Sequence, residues 1–323
     1  MPASAECRRP RLGPAPLAAL AAALAFATAA RAGVVPAHDR VVVVILENKS
    51  YNQVRTQPYT MSLMAQGATF TKSFAVSHPS QPNYIALWAG SLLGVTNNNC
   101  PATGYPFSAP NLGSACEAAG LTWRAYSENL AVAGSTACSY DGSASSGMYT
   151  RKHAPWTQFG NLNHANERPY TDLAADLASN SLPNLSFIVP NNCHNSHNSS
   201  TPGCGVPDAD AWLAGHMPAI IAGLGPKGLL VVTWDEDDNL SNNQILTVFV
   251  GPQVLDGVSS IQGITHYTLV RMICEALGLT PFAGAAGEAS IAGVWEDIVP
   301  AKSTDRTRLQ RWCEHAVQLV AAR

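Results

Sequence analysis

The sequence predicts an α/β fold in which a mostly parallel central sheet is flanked by helices and carries loop insertions. Continuous apolar runs rich in β-branched residues, such as 41–46, lack the polar alternation of a strand with one solvated face. They therefore predict strands that are buried on both faces, as in parallel sheets. Helical patterns lie between these runs and end at glycine, the residue favoured after a helix C-terminus. This alternation favours a parallel sheet covered by helices.

The individual elements follow from these two patterns. Strands are predicted over 41–46, 185–189, 229–234 and 245–250. Helices are predicted over 59–66, 81–89, 112–119 and 212–224, and each is followed by glycine. Residues 97–110 and 134–147 are rich in Gly, Ser, Asn and Pro, which predicts surface loops. The sequence shows no internal repeat and no long linker, so a single domain is expected.

Residues 1–32 have the pattern of a signal peptide. Arg8, Arg9 and Arg11 precede an apolar run over 17–30, and small residues precede Gly33. The run is short for a bilayer span, so we expect cleavage before Gly33 and a mature domain over 33–323. An uncleaved membrane anchor is the alternative. Later apolar runs are interrupted too often to span a membrane, so the mature chain is predicted to be secreted or periplasmic, without stable membrane insertion.

Composition limits the classes of partner. The net charge is only −3 and 13% of the residues are charged, so no basic surface indicates a nucleic-acid partner. The sequence does not indicate the oligomeric state. The mature chain of about 290 residues is long enough to bury a substantial core.

The cysteines indicate an oxidising compartment. Of eight cysteines, Cys7 lies in the leader and seven remain, so some are expected to pair and at least one to stay unpaired within the chain. Their spacing lacks the CxxC pairs of a structural zinc site. The pairing of Cys193 with Cys204 is favoured because it closes a short loop, and the other pairings stay open.

Polar residues follow the predicted strands at the edge where open α/β sheets bind ligands. Glu47 and Asn48 follow the first strand, Asp235 and Glu236 follow a later one, and residues 190–197 follow the strand between them. Carboxylates and amides together with imidazoles are suitable ligands for a divalent metal. Solvated loop residues or helix caps are the alternative.

Two segments at this edge partly match more specific metal motifs. His194 and His197 have the spacing of an HxxH metal pair, although loop histidines are the commoner explanation. The segment 235–239 has the opening spacing of an EF-hand calcium loop. Leu240 and Leu246 stand where that loop needs glycine and glutamate, so the EF-hand is excluded.

Ser80 stands at the predicted start of a helix. Backbone N–H groups and the positive end of the helix dipole favour a phosphate or a developing anion beside its hydroxyl. An ordinary serine N-cap is the alternative. The position alone leaves both interpretations open.

Four segments, 46–51, 78–84, 233–238 and 266–267, occur in the order expected of one protein family. With them the chain resembles the bacterial phosphoesterase family of acid phosphatases and phospholipases C, within the alkaline phosphatase superfamily. The resemblance covers nearly all of the mature chain and implies an alkaline-phosphatase-like fold. Residues 80–83 are also similar to the Thr-x-Pro-Asn motif of nucleotide pyrophosphatases, in which the threonine is the nucleophile and the asparagine holds a phosphoryl oxygen.

The resemblance implies roles for individual residues. Ser80 is expected to be the nucleophile, and Asn83 and His78 are expected to bind the substrate. One divalent metal ion of unknown identity is expected as the cofactor. Its implied ligands are Glu47, Asn48, Ser80, Asp235 and Glu236.

Three histidines, His153, His197 and His266, complete the implied catalytic set. They are expected to contact phosphate oxygens or to protonate the leaving group, in place of the second metal of other superfamily members. Imidazolium forms mainly below about pH 6.5, which predicts an acid optimum. The sequence departs from the family at Asn195, where the family usually has aspartate two residues before the histidine that corresponds to His197.

These residues predict a phosphoesterase domain over 33–323, most simply a secreted acid phosphatase that hydrolyses small phosphate monoesters through a phosphoserine intermediate. A phospholipase C-like phosphodiesterase is the first alternative. An inactive secreted binding protein of the same fold is the second, because of Asn195.

Overall fold

The computed structural model describes residues 35–143 and 147–296. The predicted signal peptide, its cleavage site before Gly33, Cys7 and Cys313 lie outside the described residues. Within the described residues, no helix is long and apolar enough to cross a membrane.

The core of the fold is an eight-stranded sheet with the strand order β10-β2-β9-β8-β1-β7-β3-β6. Every pair of neighbours is parallel except the two pairs that include β9. Its strands are β1 (Arg40–Leu46), β2 (Ala68–Phe74), β3 (Trp123–Ser127), β6 (Glu167–Pro169), β7 (Leu185–Val189), β8 (Gly228–Trp234), β9 (Gln244–Val250) and β10 (Val258–Thr265). Two short strands, β4 (Ser139–Tyr140) and β5 (Tyr149–Thr150), pair separately. The predicted mostly parallel sheet is confirmed.

Strand β9 runs antiparallel to both β8 and β2. Only the loop 235–243 joins β8 to β9, and a parallel pairing would need a crossover connection of a dozen or more residues. The apolar run 245–250 indicated a buried strand correctly. Its direction follows from the short loop rather than from the run.

Helices cover both faces of the sheet, as predicted. They are α1 (Tyr51–Val54), α2 (Pro58–Gln66), α3 (Ser80–Ala89), α4 (Leu112–Ala118), α5 (Asp172–Ala178), α6 (Val206–Gly223) and α7 (His266–Ala276). In β1, Val41, Val43 and Ile45 pack with the α3 and α7 side, whereas Val42 and Val44 pack with the α2 and α6 side. Both sets are buried, so β1 has no solvated face.

Helix α6 begins six residues before its predicted start at position 212. The side chain of Asp208 accepts a hydrogen bond of 2.8 Å from the backbone N–H of Gly205, which caps the first turn. Pro207 stands in that same turn, where a missing N–H costs nothing. The predicted helix starts at Trp212 and so does not include the capping residues Gly205 and Asp208.

The cysteines form two disulfides among the described residues. Cys193 pairs with Cys204, as predicted, and closes the loop that follows β7. Cys100 pairs with Cys138 and ties the loop 97–110 to the residue directly before β4. Cys116 and Cys274 are buried free thiols. The predicted loop 97–110 contains no helix or sheet strand, whereas the stretch 134–147 includes β4.

Glu167, the first residue of β6, is a buried carboxyl group whose Oε1 accepts a hydrogen bond of 3.0 Å from the Tyr149 hydroxyl. Burial raises the pKa of Glu167 from an ordinary 4.5 to about 7. The native state therefore keeps a proton that the unfolded chain releases near pH 4.5. The stability contributed by this carboxyl group is complete below that pH and is lost as the pH rises through about 7.

Glu167→Gln is expected to remove this pH dependence, because the amide stays neutral. From below the unfolded pKa to above the folded pKa, wild type should lose about 3 kcal/mol of unfolding free energy relative to the variant. Chemical denaturation at about pH 4 and about pH 8 measures the difference. Glu117→Gln, at an exposed position, is the control. The prediction would be contradicted if the difference in unfolding free energy between wild type and Glu167→Gln were the same at both pH values.

Candidate active site

Two adjacent strands deliver carboxylates to one point at the carboxyl edge of the sheet. Leu46 of β1 is in register with Trp234 of β8, and the N–H of Asp235 donates to the carbonyl oxygen of Leu46 over 3.0 Å. Glu47 and Asp235 therefore leave the sheet side by side. Asn48 has a φ of 42°, a left-handed conformation that asparagine tolerates. Its N–H donates to Asp235 Oδ1 over 2.9 Å.

The Ser80 hydroxyl lies among the oxygens of these strand ends. Its Oγ is 3.1 Å from Glu47 Oε2, 3.3 Å from Asn48 Oδ1 and 3.0 Å from Glu236 Oε1. Asp235 also interacts with this hydroxyl. We call Glu47, Asn48, Asp235 and Glu236 the oxygen cage. The structure thus brings together all the residues that the sequence implied as metal ligands.

Ser80 does not cap its helix. The N-cap of α3 is Pro79, no side-chain cap hydrogen bond is formed, and Ser80 is the first helical residue. The hydroxyl is directed into the oxygen cage instead. The alternative of an ordinary serine N-cap is wrong, because the helix begins one residue earlier than that alternative requires.

The oxygen cage concentrates acidic groups away from water. Burial, followed by the negative charge of Asp235, raises the pKa of Glu236 to about 8. Burial also raises the pKa of Glu47 to about 7, and burial with the charge of Glu47 raises that of Asp235 well above its ordinary value. Three crowded carboxyl groups are unfavourable as anions unless a cation joins them.

The oxygen cage fits a divalent cation. Asp235 Oδ2 is buried and has no hydrogen-bond partner among the described residues. The remaining donors are carboxylate, amide and hydroxyl oxygens, which hard divalent ions prefer. A bound ion would use the orphaned oxygen and would neutralise the crowded carboxylates.

Two of the three predicted histidines lie beside the side chains of the oxygen cage, and the third contacts the backbone of a cage residue. His153 Nε2 is 3.1 Å from Glu47 Oε1, and the His197 ring centroid is 5.5 Å from that of His153. His266 is buried below the edge, where its Nε2 is 2.6 Å from the carbonyl oxygen of Asp235. His266 therefore supports the backbone at the end of β8.

Burial opposes the predicted imidazolium groups, and the acid optimum that they imply stays a prediction. Burial lowers the pKa of His153 well below its ordinary value, and Lys152 adds to the effect. Burial and Lys152 lower the pKa of His197 to about 4. Burial lowers the pKa of His266 to about 4. The sequence could not show the burial of the rings or the contact between Lys152 and His197.

His78 contacts two carboxylates beside Ser80, and its role in substrate binding stays a prediction. Its Nδ1 is 2.6 Å from Glu236 Oε2 and its Nε2 is 3.1 Å from Asp237 Oδ1. Both ring nitrogens thus contact carboxylates. Asp237 is itself fixed by the backbone N–H groups of residues 239, 241 and 243. This arrangement orients Glu236 toward Ser80.

Asn83 uses both ends of its amide within the protein. Its Oδ1 accepts from the N–H groups of Val76 and Ser77 over 3.1 Å and 3.0 Å, and its Nδ2 donates to the carbonyl oxygen of Ser77 over 2.8 Å. Nδ2 also lies 3.3 Å from Glu236 Oε2. Asn83 therefore holds the turn that carries Ser80. Its contact with a phosphoryl oxygen stays a prediction.

Comparisons with known proteins agree with this geometry. A model of the Phosphoesterase family matches residues 53–279. The chain belongs to the Phosphoesterase family. Phosphatidylinositol-3-phosphatase of Mycobacterium tuberculosis is 37% identical over 270 residues, which are 82% of this chain and 86% of that protein. Phosphate-repressible acid phosphatase of Penicillium chrysogenum is 28% identical over 254 residues, 75% of this chain and 60% of the fungal protein.

Solved structures share the fold of this Phosphoesterase family member at low sequence identity. An alkaline phosphatase superfamily protein from Vibrio parahaemolyticus has a TM-score of 0.55 at 12% identity, over 79% of this chain and 71% of that one. Murine ectonucleotide pyrophosphatase/phosphodiesterase 5 has a TM-score of 0.52 at 10% identity, over 80% of this chain and 100% of that one. The predicted alkaline-phosphatase-like fold is confirmed.

Asn195, the departure from the family pattern, organises the loop that carries His197. Its Oδ1 accepts from the N–H of His197 over 2.8 Å, and its backbone carbonyl accepts from the N–H of Glu47 over 3.0 Å. The Asn195 side chain thus contacts the His197 backbone rather than the ring. The nearby His194 binds Glu128 at 2.8 Å, so His194 and His197 do not form an HxxH metal pair.

Lys152 is a site residue that sequence reasoning missed. Its side chain is buried, and Nζ lies 2.8 Å from His197 Nε2. His197 Nδ1 contacts Asn198 Oδ1 at 2.9 Å. Ligand atoms of Glu47, His153 and His197 all lie within 4.8 Å of one another, as in a metal site. Because Lys152 occupies His197 Nε2, we favour the oxygen cage as the metal site. A lysine directly before a candidate catalytic histidine was the signal available in the sequence.

Proposed function

We propose that this member of the Phosphoesterase family is an exported, metal-dependent acid phosphatase that hydrolyses phosphate monoesters with Ser80 as the nucleophile. The observation that carries the proposal is the Ser80 hydroxyl, which stands at the start of α3 inside the oxygen cage and does not cap the helix. The relatives named as phosphatases support the same reaction class. Two disulfides and the predicted signal peptide support export.

The oxygen cage would hold one divalent metal ion together with the Ser80 oxygen. Such an ion supplies Lewis acidity, which lowers the pKa of the serine hydroxyl and neutralises charge on the phosphoryl group. The protein contributes the fixed geometry. His153 holds Glu47 and His78 holds Glu236, so two of the carboxylates are oriented before any substrate arrives.

The reaction is a double displacement at phosphorus. Ser80 Oγ bonds to phosphorus while the bond to the leaving oxygen breaks, and the serine proton passes to a carboxylate such as Glu236, whose Oε1 is 3.0 Å away. The leaving oxygen takes a proton and departs as an alcohol. Water then attacks phosphorus, the bond to Oγ breaks, Ser80 regains a proton and inorganic phosphate is released. Because His197 Nε2 already accepts an N–H of Lys152, we assign protonation of the leaving oxygen to water.

The test compares three phosphate esters on purified mature protein supplied with Mg²⁺, Mn²⁺, Zn²⁺ or Ca²⁺. These are p-nitrophenyl phosphate, bis-p-nitrophenyl phosphate and phosphatidylinositol 3-phosphate. We expect metal-dependent release of phosphate from the monoesters and slower cleavage of the diester. The lipid monoester is included because one relative is named as a phosphatidylinositol-3-phosphatase. Faster cleavage of the diester would favour the phospholipase C-like alternative, and no turnover with any metal would favour the inactive binding protein.

A further inference from the structure

Lys152 carries a buried ammonium group with unused hydrogen-bond donors. The residue is 5% exposed, and no carboxylate forms an ion pair with it in the described part of the chain. Its only hydrogen bond there joins Nζ to His197 Nε2, a neutral acceptor. An ammonium group has three N–H donors, so two are left for another partner. Burying such a group is costly unless an anion compensates it.

The position of Lys152 indicates which ligand would use its free N–H groups, because His197, which contacts Nζ, has a ring nitrogen within 4.8 Å of ligand atoms of Glu47 and His153. The residue lies in a short 3-10 turn, Arg151–His153, and its neighbour His153 contacts Glu47 of the oxygen cage. The ammonium group interacts electrostatically with both Glu47 and Glu236, the two residues whose carboxylate oxygens flank Ser80 Oγ. Lys152 therefore borders the side of the cage where the histidines lie. A phosphoryl group on Ser80 would bring anionic oxygens to this side.

We infer that Lys152 binds the phosphoryl oxygens of the substrate and of the phosphoserine, and supplies there a permanent positive charge. His197 Nε2 accepts one N–H of the ammonium group and so orients the other two. This inference rests on the proposed function, because it assumes that a phosphoryl group is transferred to Ser80. It assigns to a lysine the charge that the sequence had assigned to imidazolium groups.

The inferred role also bears on substrate class. A monoester phosphate carries up to two negative charges and a diester carries one, so a fixed cation favours the monoester in the transition state. Loss of Lys152 should therefore lower monoester turnover more than diester turnover. A purely structural lysine would lower both in parallel.

The experiment compares wild type with Lys152→Met, which keeps the length of the side chain and removes the charge. Lys227→Met makes the same change at an exposed position and is the control. The readouts are kcat/KM for p-nitrophenyl phosphate and its bis ester, and the thermal midpoint with and without inorganic phosphate. Lys152→Arg, which keeps the charge, serves if Lys152→Met does not fold.

We expect Lys152→Met to lower kcat/KM for the monoester by about 10²- to 10³-fold. The affinity for inorganic phosphate should fall by about 10- to 100-fold. Phosphate should raise the thermal midpoint of wild type and of Lys227→Met, but not that of Lys152→Met. The phosphate-free thermal midpoint of Lys152→Met reports whether the variant is folded, and the phosphate shift is read only from folded protein. Lys152→Arg should bind phosphate more tightly than Lys152→Met.

The inference would be overturned if phosphate raised the thermal midpoint of Lys152→Met as much as that of wild type. It would also be overturned if Lys152→Met lost equal factors of kcat/KM for the two esters. If Lys152→Met cannot be obtained, the deciding variant is Lys152→Arg. The inference is overturned if Lys152→Arg folds but phosphate does not raise its thermal midpoint. The two proposals fail separately. Wild type that binds phosphate through Lys152 but turns over no ester would refute only the proposed function, whereas full activity in Lys152→Met would refute only the role of the lysine.

Discussion

Ser80→Ala is expected to lower kcat for phosphate monoesters by about 10⁴-fold or more, because the variant has no oxygen to bond to phosphorus. The remaining rate comes from the oxygen cage and from the positioning of substrate, which the substitution leaves in place. Stability should change little, because the Ser80 hydroxyl caps no helix and lies among acidic groups. Steady-state turnover of p-nitrophenyl phosphate measures the effect.

Ser259→Ala, at an exposed position of β10, is the matched control and should keep wild-type turnover. Acid quenching during turnover adds a direct readout, since wild type should carry phosphate on Ser80 and Ser80→Ala should carry none. If Ser80→Ala retained more than about a tenth of wild-type kcat, Ser80 could not be the nucleophile.

Asp235→Asn is expected to lower the affinity for the divalent metal by more than about 100-fold. When the metal concentration is limiting, turnover should fall in proportion. The substitution keeps an oxygen that can accept the 2.9 Å hydrogen bond from the N–H of Asn48, so the turn after β1 is preserved. It removes one negative charge and exchanges the orphaned Oδ2 for an amide nitrogen. A carboxylate ligand is thus lost without loss of the local fold.

Thermal unfolding distinguishes this prediction from general damage. Metal binds the folded state, so chelation should lower the midpoint of wild type. Metal-free Asp235→Asn should unfold at or above the midpoint of metal-free wild type, because fewer acidic groups are crowded together. Asp39→Asn, at an exposed position, is the control for both readouts. Equal metal affinity in Asp235→Asn and wild type would show that the oxygen cage is not the metal site.

The strands of the fold were predictable because a strand buried on both faces has to be apolar at every position. The run 41–46 shows this, and its two sets of alternate residues enter the two separate cores of the sheet. The reversed direction of β9 and the early start of α6 were not predicted, because both depend on loop length and on polar capping contacts. Strand order was likewise open, since periodicity carries no information on which strands are neighbours.

At the candidate site, the residues after β1 and β8 were predictable from the rule that ligands bind at the carboxyl ends of parallel strands. Ser80 was predictable as a nucleophile only through the family resemblance, and the structure adds the geometry that its helix position alone could not supply. His78, Asn83 and His266 were identified as site residues, but their observed contacts are with protein groups. Lys152 was missed because a lysine in a sequence is expected at the surface.

The order of residues along the chain specifies which side chains reach the carboxyl edge of the sheet, because strand ends follow directly from where the apolar runs stop. The same residues indicate the family, which implies Ser80 as the nucleophile. The electrostatics of the site depend instead on how the chain is packed. Protonation depends on burial and on neighbours that are distant in the chain. The lowered pKa of His197 and the buried ammonium group of Lys152 therefore arise only where the segments after β5 and β7 pack against the oxygen cage.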